Sequence, residues 1–117
     1  MNIFFVVNIF WSIIGFSVNG MSIKGKWIDK EDPLSIIVFT DTKCIEIYNK
    51  NTLFSSGYHR STHSCDSAYY PDKAAKKLDF ISLADGRCFE ITGLSNTALA
   101  YRYTKDGKLH VFYRSKH

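Results

Sequence analysis

Apolar and polar residues alternate with a period of two over most of the chain, in short runs separated by turn residues, a pattern that predicts β-strands with one buried face. Eight such runs are legible, at 23–28, 35–40, 43–48, 53–60, 77–83, 87–92, 97–104 and 108–114. Asp85-Gly86 and Asp106-Gly107 read as two-residue type I′ hairpin turns, because glycine tolerates the positive φ such turns need. Other links are almost as short, at 41–42, 49–52 and 93–96. Short links force antiparallel neighbours, so order in space follows order in sequence, and eight strands so arranged escape exposed edges by closing on themselves. The expected fold is therefore all-β, an eight-stranded antiparallel up-and-down barrel. A single helical turn is suggested at 71–76, where Pro71 would open it. The 16 residues at 61–76 form the one long link, and a loop of that length in a small domain is usually functional or tied down.

The first twenty residues break the pattern. They carry no charged side chain, are apolar from Ile3 to Val18 apart from Asn8, Ser12 and Gly15, and end in Val18-Asn19-Gly20. That is short for a membrane span and suits signal-peptidase cleavage, so 1–20 reads as a signal peptide and 21–117 as the mature domain. A retained membrane anchor and a translation start at Met21 are the competing readings. The expectation is an exported, periplasmic or secreted monomer with no membrane anchor after processing.

Composition narrows the function classes. The 117 residues include 9 Phe, 7 Tyr and 2 Trp, enough for one aromatic core. With 15 Lys plus Arg against 11 Asp plus Glu, the net charge of +4 favours solubility and does not mark a nucleic-acid protein. Seven Gly and two Pro exclude collagen-like and low-complexity architectures. The lysines at 73, 76, 77, 105 and 108 read as a solvated rim.

Gly25-Lys26-Trp27 lies on the first strand, and the last reads Lys108-Leu109-His110-Val111-Phe112-Tyr113-Arg114. With Ser35-x-Ile37-x-Phe39, Cys88-Phe89-Glu90-Ile91-x-x-Leu94 and Gly107-x-Leu109, this resembles the lipocalin-like (calycin) pattern, and the mature chain is similar to small exported bacterial lipocalin-like domains. The resemblance implies that Gly25 and Trp27 match the family's G-x-W triplet and that Arg114 packs against Trp27 at the closed barrel end. A cation over the indole would independently gain roughly 0.5 to 2 kcal/mol. Nearly all loops are shorter than in a full lipocalin, and a small eight-strand barrel can be filled by its own side chains.

Three cysteines in an exported chain allow one disulfide. Cys65 lies in the long loop and Cys88 opens the strand beside the one this loop feeds, so the expected bridge is Cys65 to Cys88, with Cys44 free. His59, His63, Cys65 and Asp66 are close in sequence, but a strand end followed by a loop does not align two His as a helix would, and no metal site is expected. Nor is catalysis: no nucleophile elbow, phosphate loop or dinucleotide motif occurs, and Glu46, Asp79 and Glu90 read as outward-facing. No cofactor is expected.

Period-two counting places Trp27, Phe39, Phe89, Tyr101 and Tyr103 inside, in register with Ile37, Ile47, Ile91 and Leu99. Phe39, Tyr58, Phe89, Tyr101 and Tyr103 are the candidate lumen residues, offering apolar walls and a few hydroxyls to a small apolar or amphipathic ligand. The alternative is a filled barrel acting on a protein partner, as an inhibitor or interaction module, through its surface and the 61–76 loop.

Overall fold

The computed structural model describes residues 21–69 and 78–115. The signal-peptide reading of 1–20 and the helical turn at 71–76 lie outside the described residues. Eight strands occur: β1 Gly25–Asp29, β2 Ser35–Phe39, β3 Lys43–Tyr48, β4 Asn51–Ser61, β5 Phe80–Leu83, β6 Cys88–Leu94, β7 Ala98–Tyr103 and β8 Leu109–Arg114. Each pairs antiparallel with its sequence neighbours, and β1 pairs with β8, closing a barrel in the order β1 to β8. No helix occurs among the described residues.

The turns differ from the sequence expectation. Neither Asp-Gly pair forms a type I′ turn, because Asp85 and Asp106 keep negative φ while Gly86 and Gly107 stand at +100° and +71°. Leu83 bonds Arg87 O while Gly86 N bonds Leu83 O, leaving a three-residue loop that ends on glycine in the bulge position. The two-residue loop with both φ positive is Asn49-Lys50, between the paired residues Tyr48 and Asn51. It has no glycine to announce it.

Residues paired across strands point to the same side, which fixes what lies inside. Trp27, Ile37, Phe39, Cys44, Ile81, Leu83, Phe89, Ile91, Leu99, Tyr101 and Phe112 form the interior, with Ile23 packed beneath them. β3 is turned over relative to expectation. Phe39 pairs with Cys44 and Ile37 with Glu46, so Cys44 and Glu46 face inward, while Ile45 and Ile47 face out beside Val38 and Ile36. β2 is apolar on both faces and cannot correct the alternation of β3, which favours Ile45 and Ile47 inside. A bulge between Glu46 and Ile47 accommodates the extra residue on β4.

The three carboxylates expected on the outside are each engaged. Glu46 reaches Arg87 across the barrel mouth at 3.0 Å. Asp79 is 7% exposed and accepts from Arg60 Nε at 2.9 Å and Nη2 at 2.7 Å, while Arg60 Nη1 donates to Met21 O. Glu90, also 7% exposed, does leave the barrel on the outer side, paired with Phe80 and Arg102, yet Tyr69 from the long loop covers it and donates to Oε1. A buried charge must be paired or hydrogen-bonded, and these carboxylates are.

Candidate functional site

The two barrel ends differ in kind. At the closed end β1 begins at Gly25 with φ +135°, where any Cβ would collide with Arg114 Nη1. The absent side chain lets the Arg114 guanidinium lie 4.1 Å from the Trp27 ring centre while Nη1 donates to Lys24 O at 2.8 Å and Nε to Asn96 O at 2.7 Å. Trp27 is fully buried, and its Nε1 donates to Ile23 O at 2.9 Å, which folds the preceding segment across the barrel floor. Gly25, Trp27 and Arg114 thus form one contact that joins the first and last strands.

The long loop leaves β4 and is tied along the outer wall to the start of β6 and to the residue that follows β7. Cys65 and Cys88 form a disulfide with Cα atoms 5.7 Å apart, and Cys44 is free and buried. Asp66 Oδ2 accepts from Thr104 Oγ1 at 2.8 Å, and that bond, with one from Ala68 N, holds the Asp66 carboxyl below its usual range. Tyr69 packs edge-on against Phe80, 6.3 Å between centres. Burial first, and the bond to Glu90 second, push the Tyr69 phenol up. His59 and His63 do not converge with Cys65 and Asp66, and among the described residues no group of three or more metal-ligating side chains gathers.

At the opposite end the barrel opens into a cavity of about 260 Å³. Its wall includes Ile37, Phe89, Tyr101, Tyr103 and Phe112, and its rim Asp29, Ser35, Glu46, Arg87 and His110. Tyr101 sits at the centre of an aromatic cluster, 4.7 Å from Phe89, 5.2 Å from Phe112 and 5.7 Å from His110, ring centre to ring centre. Tyr103 adds a further ring 5.3 Å from Phe89. Burial pushes the Tyr101 phenol far above its ordinary range, so it stays neutral.

Arg87 spans the mouth. It leaves the β5–β6 turn, stacks 3.9 Å over Phe54 and bonds Glu46 on β3, while Nε and Nη2 hold Asp85. Three of the five lumen candidates, Phe89, Tyr101 and Tyr103, line this cavity. Phe39 and Tyr58 do not: they meet edge to face, 5.2 Å between ring centres, toward the closed end, where Tyr58 Oη donates to Thr40 O at 2.7 Å. Register, rather than facing, separates these groups, since the odd positions of one strand span both ends of the barrel. Sequence reasoning missed Asp29, Ser35, Glu46, Arg87 and His110. A signal existed for Glu46, because pairing Phe39 with Cys44 across the short β2–β3 turn forces Glu46 inside.

Fold and site together define a closed eight-stranded antiparallel barrel with one sealed end and one cavity at its mouth. No family model, no curated protein and no solved structure matches the chain. Among the described residues no helix is long and apolar enough to cross a membrane.

Proposed function

We propose that this chain is an exported, non-catalytic, lipocalin-like binding protein that holds a compact amphipathic ligand in the mouth of its barrel. The observation that carries the reading is the 260 Å³ cavity with an aromatic wall and a polar rim. Small-molecule sites combine apolar walls with a few placed polar groups, and this volume lies just below their usual range, so the ligand is compact rather than long-chained. The lipocalin-like assignment is supported by the stacking of Arg114 on Trp27 beside Gly25. Export is supported by the uncharged stretch at 1–20 and by the disulfide, which persists in oxidising compartments. A second reading, action on a protein partner through the outer surface, is favoured by the loop pinned at Cys65, Asp66 and Tyr69.

A neutral fluorescent aromatic, 2-naphthol, tests the choice. Saturable binding that Tyr101→Trp weakens by filling the cavity supports a ligand carrier. Absence of saturable binding, with Tyr101→Trp costing about 1 to 3 kcal/mol as in an overfilled core, overturns it in favour of the surface reading. Intact-mass analysis of protein from its own cells tests export: a mature N-terminus near Met21 is expected, and a stable membrane-bound product retaining 1–20 overturns it.

A further inference from the structure

The chemistry of the mouth narrows the ligand class, on the premise that the cavity is a binding site. Tyr101 is only 5% exposed, faces inward on β7 and lines the cavity, yet its hydroxyl has no hydrogen-bond partner among the described residues. A buried hydroxyl left unpaired is costly, and polar groups in this position are ordinarily satisfied by protein, water or ligand. The partner it lacks belongs on whatever fills the cavity.

Charge on the lining gives that partner its sign. Two carboxylates, Asp29 and Glu46, face the cavity with one guanidinium, Arg87, and one imidazole, His110. Arg87 is already paired with two carboxylates, since Nε and Nη2 are held by Asp85 and Nη1 by Glu46. Asp29 Oδ1 accepts from Glu31 N at 2.8 Å and Asp32 N at 3.3 Å, and Oδ2 faces no cation among the described residues. An anion entering here would meet Asp29 and Glu46 while finding the arginine charge already paired with two carboxylates. The lysines of the β7–β8 turn, Lys105 and Lys108, are exposed and flank Asp106, so water and salt screen them from the interior. The mouth is therefore acidic on a chain whose net charge is +4. The aromatic faces act in the same direction, because the quadrupoles of Phe89, Tyr101, Tyr103 and Phe112 attract a cation and repel an anion.

From these observations we infer that the cavity selects a small organic cation, an amine carried on a compact aromatic or aliphatic body. The body lies against the aromatic wall; the ammonium N–H groups donate to Tyr101 Oη and to the Glu46 and Asp29 carboxylates.

Three indoles of nearly equal size test this by titration calorimetry at low ionic strength: tryptamine (cationic), 3-propylindole (neutral) and indole-3-acetate (anionic). Tryptamine is expected to bind at least about tenfold more tightly than either, the ratio expected of charge-assisted hydrogen bonds. Glu46→Gln should reduce that selectivity several-fold, with thermal unfolding run beside it to confirm that the barrel is intact. Should Glu46→Gln not fold, Tyr101→Phe takes its place and should weaken tryptamine at least about tenfold, since the lost bond comes from a charged ammonium. Equal or tighter binding of the neutral or anionic indole overturns the cationic assignment while leaving the cavity reading standing. Unchanged selectivity in a folded Glu46→Gln also overturns it. If none of the three binds, the cavity reading itself falls.

Discussion

Replacing Gly25 by alanine should unlock the closed end, and the size of the effect can be worked from the contact. The residue stands at φ +135°, where a side chain is strained, and its Cβ would overlap Arg114 Nη1. Two costs add. A non-glycine residue held in a sparsely populated backbone region costs about 1 to 3 kcal/mol. Displacing the guanidinium would also loosen its stacking on Trp27, worth roughly 0.5 to 2 kcal/mol, and its two bonds to Lys24 O and Asn96 O, each worth about 1 kcal/mol or more. Partial exposure of Arg114 and relaxation of the site reduce the sum, so a loss of about 2 to 4 kcal/mol is expected, a large share of a small domain's stability. Urea unfolding followed by Trp fluorescence reads it as a lower midpoint at unchanged slope. The cycle with Arg114→Ala separates the two costs. In that background the collision is gone, and Gly25→Ala should cost only the backbone part. An equal cost in both backgrounds would refute the claim that Gly25 exists to admit the guanidinium, and a cost below about 1 kcal/mol would refute the strain as well.

Cys65→Ser should lower stability by about 3 kcal/mol, the loop-closure estimate for a bridge of this span; non-reducing peptide mapping should recover Cys65 joined to Cys88, and recovery of a Cys44 linkage would contradict it. Burial pushes the Cys44 thiol up to about 12, so it should resist alkylation until the protein unfolds. Because its folded value lies above the unfolded one, its contribution is complete below the ordinary thiol range and is lost as pH rises toward 12, so alkaline unfolding should be milder in Cys44→Ala once neutral-pH stabilities are matched. For Asp66 the sign is opposite: a carboxyl held low contributes above its unfolded value and loses that contribution as pH falls through its folded one. Acid should therefore speed amide exchange in 61–69 before the barrel strands, and an unchanged loop in acid would argue against the Thr104 tether.

Strand number, order and closure were legible because the links are short and each run alternates. Boundaries drifted where a residue near a strand does another job. Ile23 was counted into β1 but plugs the barrel floor, and the strand starts at Gly25. Asn49-Lys50 reads as part of a longer link because Lys50 stands at φ +70° without the glycine that marks such turns. Facing was legible on β7, where the large side chains Leu99, Tyr101 and Tyr103 alternate with Ala98, Ala100 and Arg102. It failed on β3, where Ile45 and Ile47 suggest an inward face and an acid stands between them. The β2–β3 pairing turns Glu46 inward, and Arg87, 41 positions away, supplies the charge that meets it there. Glu90 shows the complementary failure, since its outward position was readable and its cover by Tyr69 was not. Sequence alternation reports side; it cannot report a partner supplied by a distant segment.

The seam between β1 and β8 has a consequence for how the molecule is made. Trp27 pairs with Arg114, so the contact that seals the barrel joins residues near the opposite ends of the domain. During synthesis β1 must wait with one edge unpaired until β8 has emerged, whereas each hairpin between β2 and β7 can form as soon as its second strand is available. Closure is thus the step with the greatest loop entropy to overcome and should set the folding rate. A circular permutant that ties residue 115 to residue 22 and opens the chain at the exposed Asn49-Lys50 turn would make the seam local. The closing pair then becomes β3 and β4, so the permutant should reach the same barrel with the pairing of β3 and β4, rather than of β1 and β8, as its slow step.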